Sequence, residues 1–202
     1  MRVVGILLAA GRGSRFGSDK LRARLAEVKA AGMPLAVAAA RNLVAALPES
    51  VAVVRPGNAE LVRLLGAASV RLVECARADD GMGASLACGI NASMDADAWV
   101  VALADMPWIE PATIRKVADA LRAGASIAAP ALRGQRGHPV GFSRRHYAAL
   151  AALTGDLGAR GILERNAAEL RAVDVDDPGI LADVDRPADL TGRPNKRDAS
   201  AV

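Results

Sequence analysis

Val3 to Ala9 reads VVGILLA, an unbroken apolar run that predicts a strand buried on both faces. A glycine-rich polar loop follows, and Pro34 to Leu47 carries a helical pattern. Val51 to Val54 predicts a second strand, closed by Arg55-Pro56-Gly57. Asn58 stands where a helix cap belongs, ahead of Ala59 to Leu65. Val70 to Val73 predicts a strand, Gly83 to Met94 a helix and Trp99 to Ala104 a strand. Glu110 to Ala123 predicts a helix with Pro111 in its first turn. Ser126 to Ala129 and Val140 to Ser143 are short strands. Helices are expected over Arg145 to Leu153 and Ala159 to Asn166, and Leu170 to Val175 is the last strand.

Strands that alternate with helices predict an α/β protein built on a mostly parallel sheet. Ligands of such sheets bind at the carboxyl ends of the strands. Residues 1–190 are expected to form one domain. Thr191 to Val202 (TGRPNKRDASAV) is polar, basic and without period, as expected of a disordered tail.

Composition narrows the function. Aromatic residues make up only 2% of the chain, too few for stacking nucleic-acid bases. The net charge of +4 is spread along the chain, a mild preference for small anionic ligands. No apolar run approaches the ~18 residues of a membrane span. The N-terminus enters a strand directly after Met1-Arg2, without a signal-peptide layout, so a cytoplasmic protein is expected. Cys75 and Cys88 lack metal-ligand spacing and are expected to be two free thiols. His138 and His146 fall in no hydrolase motif.

The chemistry concentrates in LLAAGRGSRFGSDKL, residues 7–21. Gly11, Gly13 and Gly17 let backbone amides approach a ligand, and Arg12, Arg15 and Lys20 add positive charge. A polyphosphate suits such a loop. The P-loop pattern fails, because no Gly-Lys pair occurs here. The dinucleotide fingerprint fails as well. The spacing of Gly11, Gly13 and Gly17 is one residue too long, and the second strand ends in Arg55 instead of an acid. Acids stand at other strand ends. Asp105 in WVVALADMPWI follows a buried strand, and LADVDRPADL offers Asp183, Asp185 and Asp189.

The pattern Leu8, Ala10, Gly11, Arg15, Gly17, Lys20 resembles the signature loop of the MobA-like nucleotidyltransferases. The DMP at Asp105 and the segment around Asp185 resemble that family's metal-binding segments. GHPVGF and TGDLGARGIL resemble its molybdopterin cytidylyltransferase branch, so the likeness runs from residue 3 to about residue 190. It implies a three-layer, Rossmann-like nucleotidyltransferase fold. The activity implied is transfer of a nucleotidyl group, CTP being the favoured donor, to the terminal phosphate of molybdopterin, with release of pyrophosphate.

Residue roles follow from the same resemblance. Arg15 and Lys20 are the catalytic cations. Leu8, Ala9, Ala10, Gly11, Gly13, Lys20, Asp80 and Ser85 bind the nucleotide. Asp105 and Asp185 hold Mg²⁺, while Asp183 and Asp189 serve turns and caps. His138 and Arg22 contact the acceptor, and a molybdoenzyme would receive the product. Alternatives on this fold are a guanylyltransferase or a transferase acting on a sugar or alcohol phosphate. A non-catalytic carrier of nucleotide or cofactor is a further alternative. LRARLAEVKAAG, from Leu21 to Gly32, is longer and more charged than the short apolar segment the family carries there.

Overall fold

A computed structural model describes residues 1–11, 16, 19–26 and 32–191. The strands are β1 (Val3–Ala9), β2 (Ser50–Val54), β3 (Arg71–Glu74), β4 (Ala98–Leu103), β5 (Ile127–Leu132), β6 (Gln135–Arg136), β7 (Val140–Ser143) and β8 (Leu170–Asp174). The helices are α1 (Leu35–Ala46), α2 (Ala59–Gly66), α3 (Met82–Asn91), α4 (Pro111–Arg122), α5 (Tyr147–Ala151) and α6 (Arg160–Arg165). The strands form one sheet in the order β3-β2-β1-β4-β7-β5-β6, with β8 paired to β5. β1 to β4 run parallel, and β7 lies antiparallel between β4 and β5.

Alternation along the strands divides the core in two. Leu7, Ala9, Ala52, Val54, Val100 and Ala102 face α1, α2 and α4. Val4, Ile6, Val51, Val53, Trp99 and Val101 face α3, α5 and α6. Both faces are apolar, which is why these strands read as continuous hydrophobic runs. The result is a three-layer α/β/α arrangement. Where α3 crosses the sheet it carries Gly89, and a Cβ there would lie 2.8 Å from Ile6 Cγ2 and 2.9 Å from Val53 Cγ2. The missing side chain lets this helix sit close to the strands.

The chain runs from β1 outward to β2 and β3, then returns across β1 to β4. Strand order therefore reverses between β1 and β4, and a crevice opens at their carboxyl ends. Leu8 of β1 pairs with Leu103 of β4, and the Ala104 amide donates to the Leu8 carbonyl at 3.1 Å. The two loops that leave these strands thus start side by side.

Two expectations change. Cys75 and Cys88 are not free thiols: they form a disulfide with a Cα–Cα distance of 5.9 Å. Cys75 lies just beyond β3 and Cys88 on α3, and packing α3 against the sheet brings them together. Most of the expected tail, residues 192–202, lies outside the described residues, while Thr191 ends a 3-10 turn over Pro187–Thr191. The helix expected from Arg145 begins as a 3-10 turn over Arg144–His146.

The Asn58 cap forms: its side chain accepts from the Leu61 amide at 3.3 Å and donates to Asp19 at 2.9 Å. Asn58→Ala is expected to cost about 1 kcal/mol, as loss of a helix cap does, read as a lower urea midpoint at unchanged slope.

Candidate functional site

Lys20 begins a 3-10 turn, Lys20–Arg22, held on the protein by buried Leu21 and, further on, buried Leu25. Asp19 steadies the turn from the other side by accepting from Asn58. Asp105 follows β4 at the strand-order reversal. Asp185 arrives from a segment beyond β8, and the Val184 amide ties that segment to the Asp105 carbonyl at 3.0 Å. Asp189 caps the turn by accepting from the amides of Asp185 at 3.0 Å and Arg186 at 2.7 Å.

These segments deliver three charges to one point. The Lys20 ammonium lies 2.9 Å from Asp105 Oδ2 and 3.1 Å from Asp185 Oδ1. Burial works against the charge on Lys20. Asp105 and then Asp185 outweigh it and hold the ammonium above its ordinary pKa of 10.5. Side-chain exposure rises from 12% at Lys20 to 25% at Asp105 and 49% at Asp185, so the site opens to solvent on the Asp185 side. Among the described residues no three His, Cys, Asp or Glu side chains gather into a metal cage. Two carboxylates already sharing one cation fit a divalent metal ion that would take its other ligands from phosphate and water.

Leu8, Ala9, Ala10 and Gly11 form the end of β1 and the start of the loop, beside the Asp105 turn. Arg15 and Gly13 lie outside the described residues. Arg55 closes the base of this loop: it donates to the Ala10 carbonyl at 3.1 Å and pairs with Asp79. As a cation ending β2, Arg55 was visible in the sequence, but it bore there only on the dinucleotide pattern.

The expected ligand-facing start of α3 is occupied by the protein itself. The Gly83 amide donates to the Gly155 carbonyl at 2.7 Å. Gly81, at φ +105°, and Gly83 both lie where a Cβ would strike the Thr154–Gly155 backbone. Ser85 is buried, with its hydroxyl on the Gly81 carbonyl at 3.3 Å. Asp80 pairs outward with Arg77 at 2.9 Å.

Nor do the two expected acceptor contacts meet. Arg22 turns to Asp19 at 2.9 Å and lines an open hollow with Arg55 and Asn58. The burial of Leu21 next to it aims Arg22 outward. His138 lines a separate cavity of about 600 Å³, walled by Leu8, Leu103, Val140 and Phe142, with Arg136 and Arg160 among its polar members. His138 Nδ1 is sealed from solvent with no hydrogen-bond partner among the described residues. Burial holds this imidazole below its ordinary 6.5, opposed by the nearby Asp105 charge.

Residues 5–171 match the MobA-like NTP transferase domain. The chain belongs to that family. It is a nucleotidyltransferase, as that family match shows. "Purine catabolism protein PucB" of Bacillus subtilis is 29% identical over 196 residues, 92% of each chain. "Nicotine blue oxidoreductase" of Paenarthrobacter nicotinovorans is 29% identical over 192 residues, covering 91% of this chain and 92% of that one. Rv0371c of Mycobacterium tuberculosis superposes with a TM-score of 0.76 at 28% identity, over 94% of this chain and 95% of that one. A manganese complex of Rv0371c superposes with a TM-score of 0.65.

The lowered pKa of His138 sets a pH dependence. The folded protein binds fewer protons there than the unfolded chain, so this stability is complete above pH 6.5 and is lost as pH falls below it. His146 shifts in the same direction, also through burial. His138→Gln is expected to flatten the fall in melting temperature between pH 7 and pH 5, measured against wild type by calorimetry.

Proposed function

We propose that this chain transfers a cytidylyl group from CTP to the terminal phosphate of the molybdopterin cofactor and releases pyrophosphate. The observation that carries this reading is the meeting of Lys20, Asp105 and Asp185 at the carboxyl ends of β1 and β4. Apart from the loop after β1, the site needs little else for phosphoryl-type transfer, where catalysis is mostly positioning and charge compensation.

Asp105 and Asp185 hold Mg²⁺ in this reading. The ion would supply positive charge there to offset that of the phosphates. The backbone from Ala10 through Gly13 receives the triphosphate through its amides. A phosphate oxygen of the acceptor attacks the α-phosphorus in line, the bond from that phosphorus to the bridging oxygen breaks, and the electron pair leaves with pyrophosphate. Lys20 exchanges its carboxylate partners for phosphate oxygens and, with Arg15, stabilises the charge that grows on the leaving group. The cavity at His138 takes the organic part of the acceptor, and Arg22 lies outside it. Asp80 and Ser85 would support the nucleotide site by holding the turn that leads into α3, through Arg77 and the Gly81 carbonyl, rather than by direct contact. A cytoplasmic site and delivery to a molybdoenzyme belong to the same reading.

The deciding experiment measures pyrophosphate release from CTP, GTP, ATP and UTP with Mg²⁺ and molybdopterin. Release with CTP above the other three is the expected result. Release with GTP alone moves the chain to guanylyl transfer on the same site. Nucleotide binding without release from any of them overturns the catalytic reading in favour of a carrier. Lys20→Ala is expected to lower kcat roughly 10²- to 10³-fold, as loss of one preorganised charge donor does, with the fold retained by circular dichroism.

A further inference from the structure

Asp177 is a carboxylate that the charged site does not touch, yet it is only 1% exposed. It accepts three hydrogen bonds. Oδ2 takes the Glu110 amide at 2.8 Å and the Thr113 hydroxyl at 2.7 Å, and Oδ1 takes the Gly179 amide at 3.0 Å. Glu110 and Thr113 are the cap and first turn of α4, a helix that receives no cap from its own cap residue. The cap comes instead from a segment 67 residues further along the chain.

The position of this bond matters more than its strength. Glu110 lies five residues after Asp105, and Asp177 lies eight residues before Asp185. The carboxylate therefore joins the two segments that bear the paired acids. Further contacts follow along the seam. A Cβ on Gly179 would lie 2.8 Å from the Ile109 amide nitrogen, so the two backbones touch. Ile180 is buried, and its carbonyl accepts from the His138 amide at 3.0 Å. Val184, also buried, donates to the Asp105 carbonyl at 3.0 Å.

We propose that Asp177 is a positioning residue for the divalent-metal site, a buckle between the segments after β4 and β8 that sets the approach of Asp185 to Asp105. This rests on the reading of those two acids as metal ligands. Asparagine at 177 would have nearly the same size but only one acceptor oxygen. Its amide NH₂ must face a donor whichever way it turns, toward Glu110 or toward Gly179. One side of the buckle opens, and the carboxylate pair loses its spacing while the chain keeps its charged residues at the site.

The probe is Mn²⁺ alone, titrated into the full chain and followed by water-proton relaxation. The titration is made where circular dichroism shows each variant fully folded, so that a merely structural role would not move the dissociation constant. Asp177→Asn is expected to raise it on the order of tenfold, the scale seen when the outer partners of a metal site are lost. Thr113→Val removes one donor without placing a donor against another, and a smaller rise in the same direction is expected. Asp105→Asn is the control and is expected to abolish binding. Wild-type affinity in folded Asp177→Asn, with binding lost in Asp105→Asn, overturns the buckle alone. If Asp177→Asn does not fold, wild-type affinity in Thr113→Val overturns it. Wild-type affinity in Asp105→Asn overturns the metal reading and the buckle with it.

Discussion

The ammonium of Lys20 between the carboxylates of Asp105 and Asp185 is the contact around which the rest of this protein is arranged. Two carboxylates this close repel each other unless a cation lies between them. The lysine supplies that cation from within the chain. One positive and two negative groups leave the point net negative, which disfavours a bare triphosphate. In the proposed reaction, a nucleotide arriving with a divalent cation would reverse the balance, because the two carboxylates would hold the metal and leave the ammonium for phosphate. The same three side chains can therefore stabilise the empty site and serve the filled one. Asp185, at 49% exposure, is the solvent-facing member through which such an exchange can begin.

Bringing the three groups together takes the whole sheet. Lys20 follows β1, Asp105 follows β4 and Asp185 follows β8, with 85 and 165 residues separating the lysine from its partners. Only the β1–β4 adjacency, created when the chain reverses its strand order, makes the first pair local. Buried anchors set each arm: Leu21 and Leu25 hold the Lys20 turn, and Val184 and Ile180 hold the Asp185 segment. The polar ties across these arms, from Asn58 to Asp19 and from Asp177 to Glu110, fix angles that apolar packing leaves soft.

Much of this was legible in the sequence where the signal is local. β1 spans Val3–Ala9 and β7 spans Val140–Ser143, the bounds that the apolar pattern predicts, because strands buried on both faces show as unbroken runs. Asn58 declares its cap by residue type and position. The features that were not legible depend on contacts between distant segments. The Cys75–Cys88 bridge spans 13 residues in no recognisable spacing and forms only because α3 packs beside β3. Asp177 caps a helix 67 residues upstream, and nothing near it in the chain points to α4. Asp80 and Ser85 read as nucleotide contacts by resemblance, whereas the Gly155 carbonyl that fills the start of α3 cannot be read from the chain around them. β6, a two-residue strand, is too short to carry a period.

The two halves of the fold bear different constraints. The charged point is made from residues at strand ends, and a shift in any one changes the distances to the other two. The cavity at His138 is walled largely by apolar side chains from β1, β4, β7 and α6. Apolar walls tolerate exchange of one side chain for another of similar volume at a cost usually below about 1.5 kcal/mol, whereas a charged triad does not. The cavity can therefore change the molecule it admits while Lys20, Asp105 and Asp185 stay fixed. Among the polar members of that wall, His138 holds a buried nitrogen with no partner among the described residues. In the proposed reading, selectivity resides in the cavity's few polar positions, Arg136 and Arg160 among them, while the chemistry resides at the ends of β1 and β4.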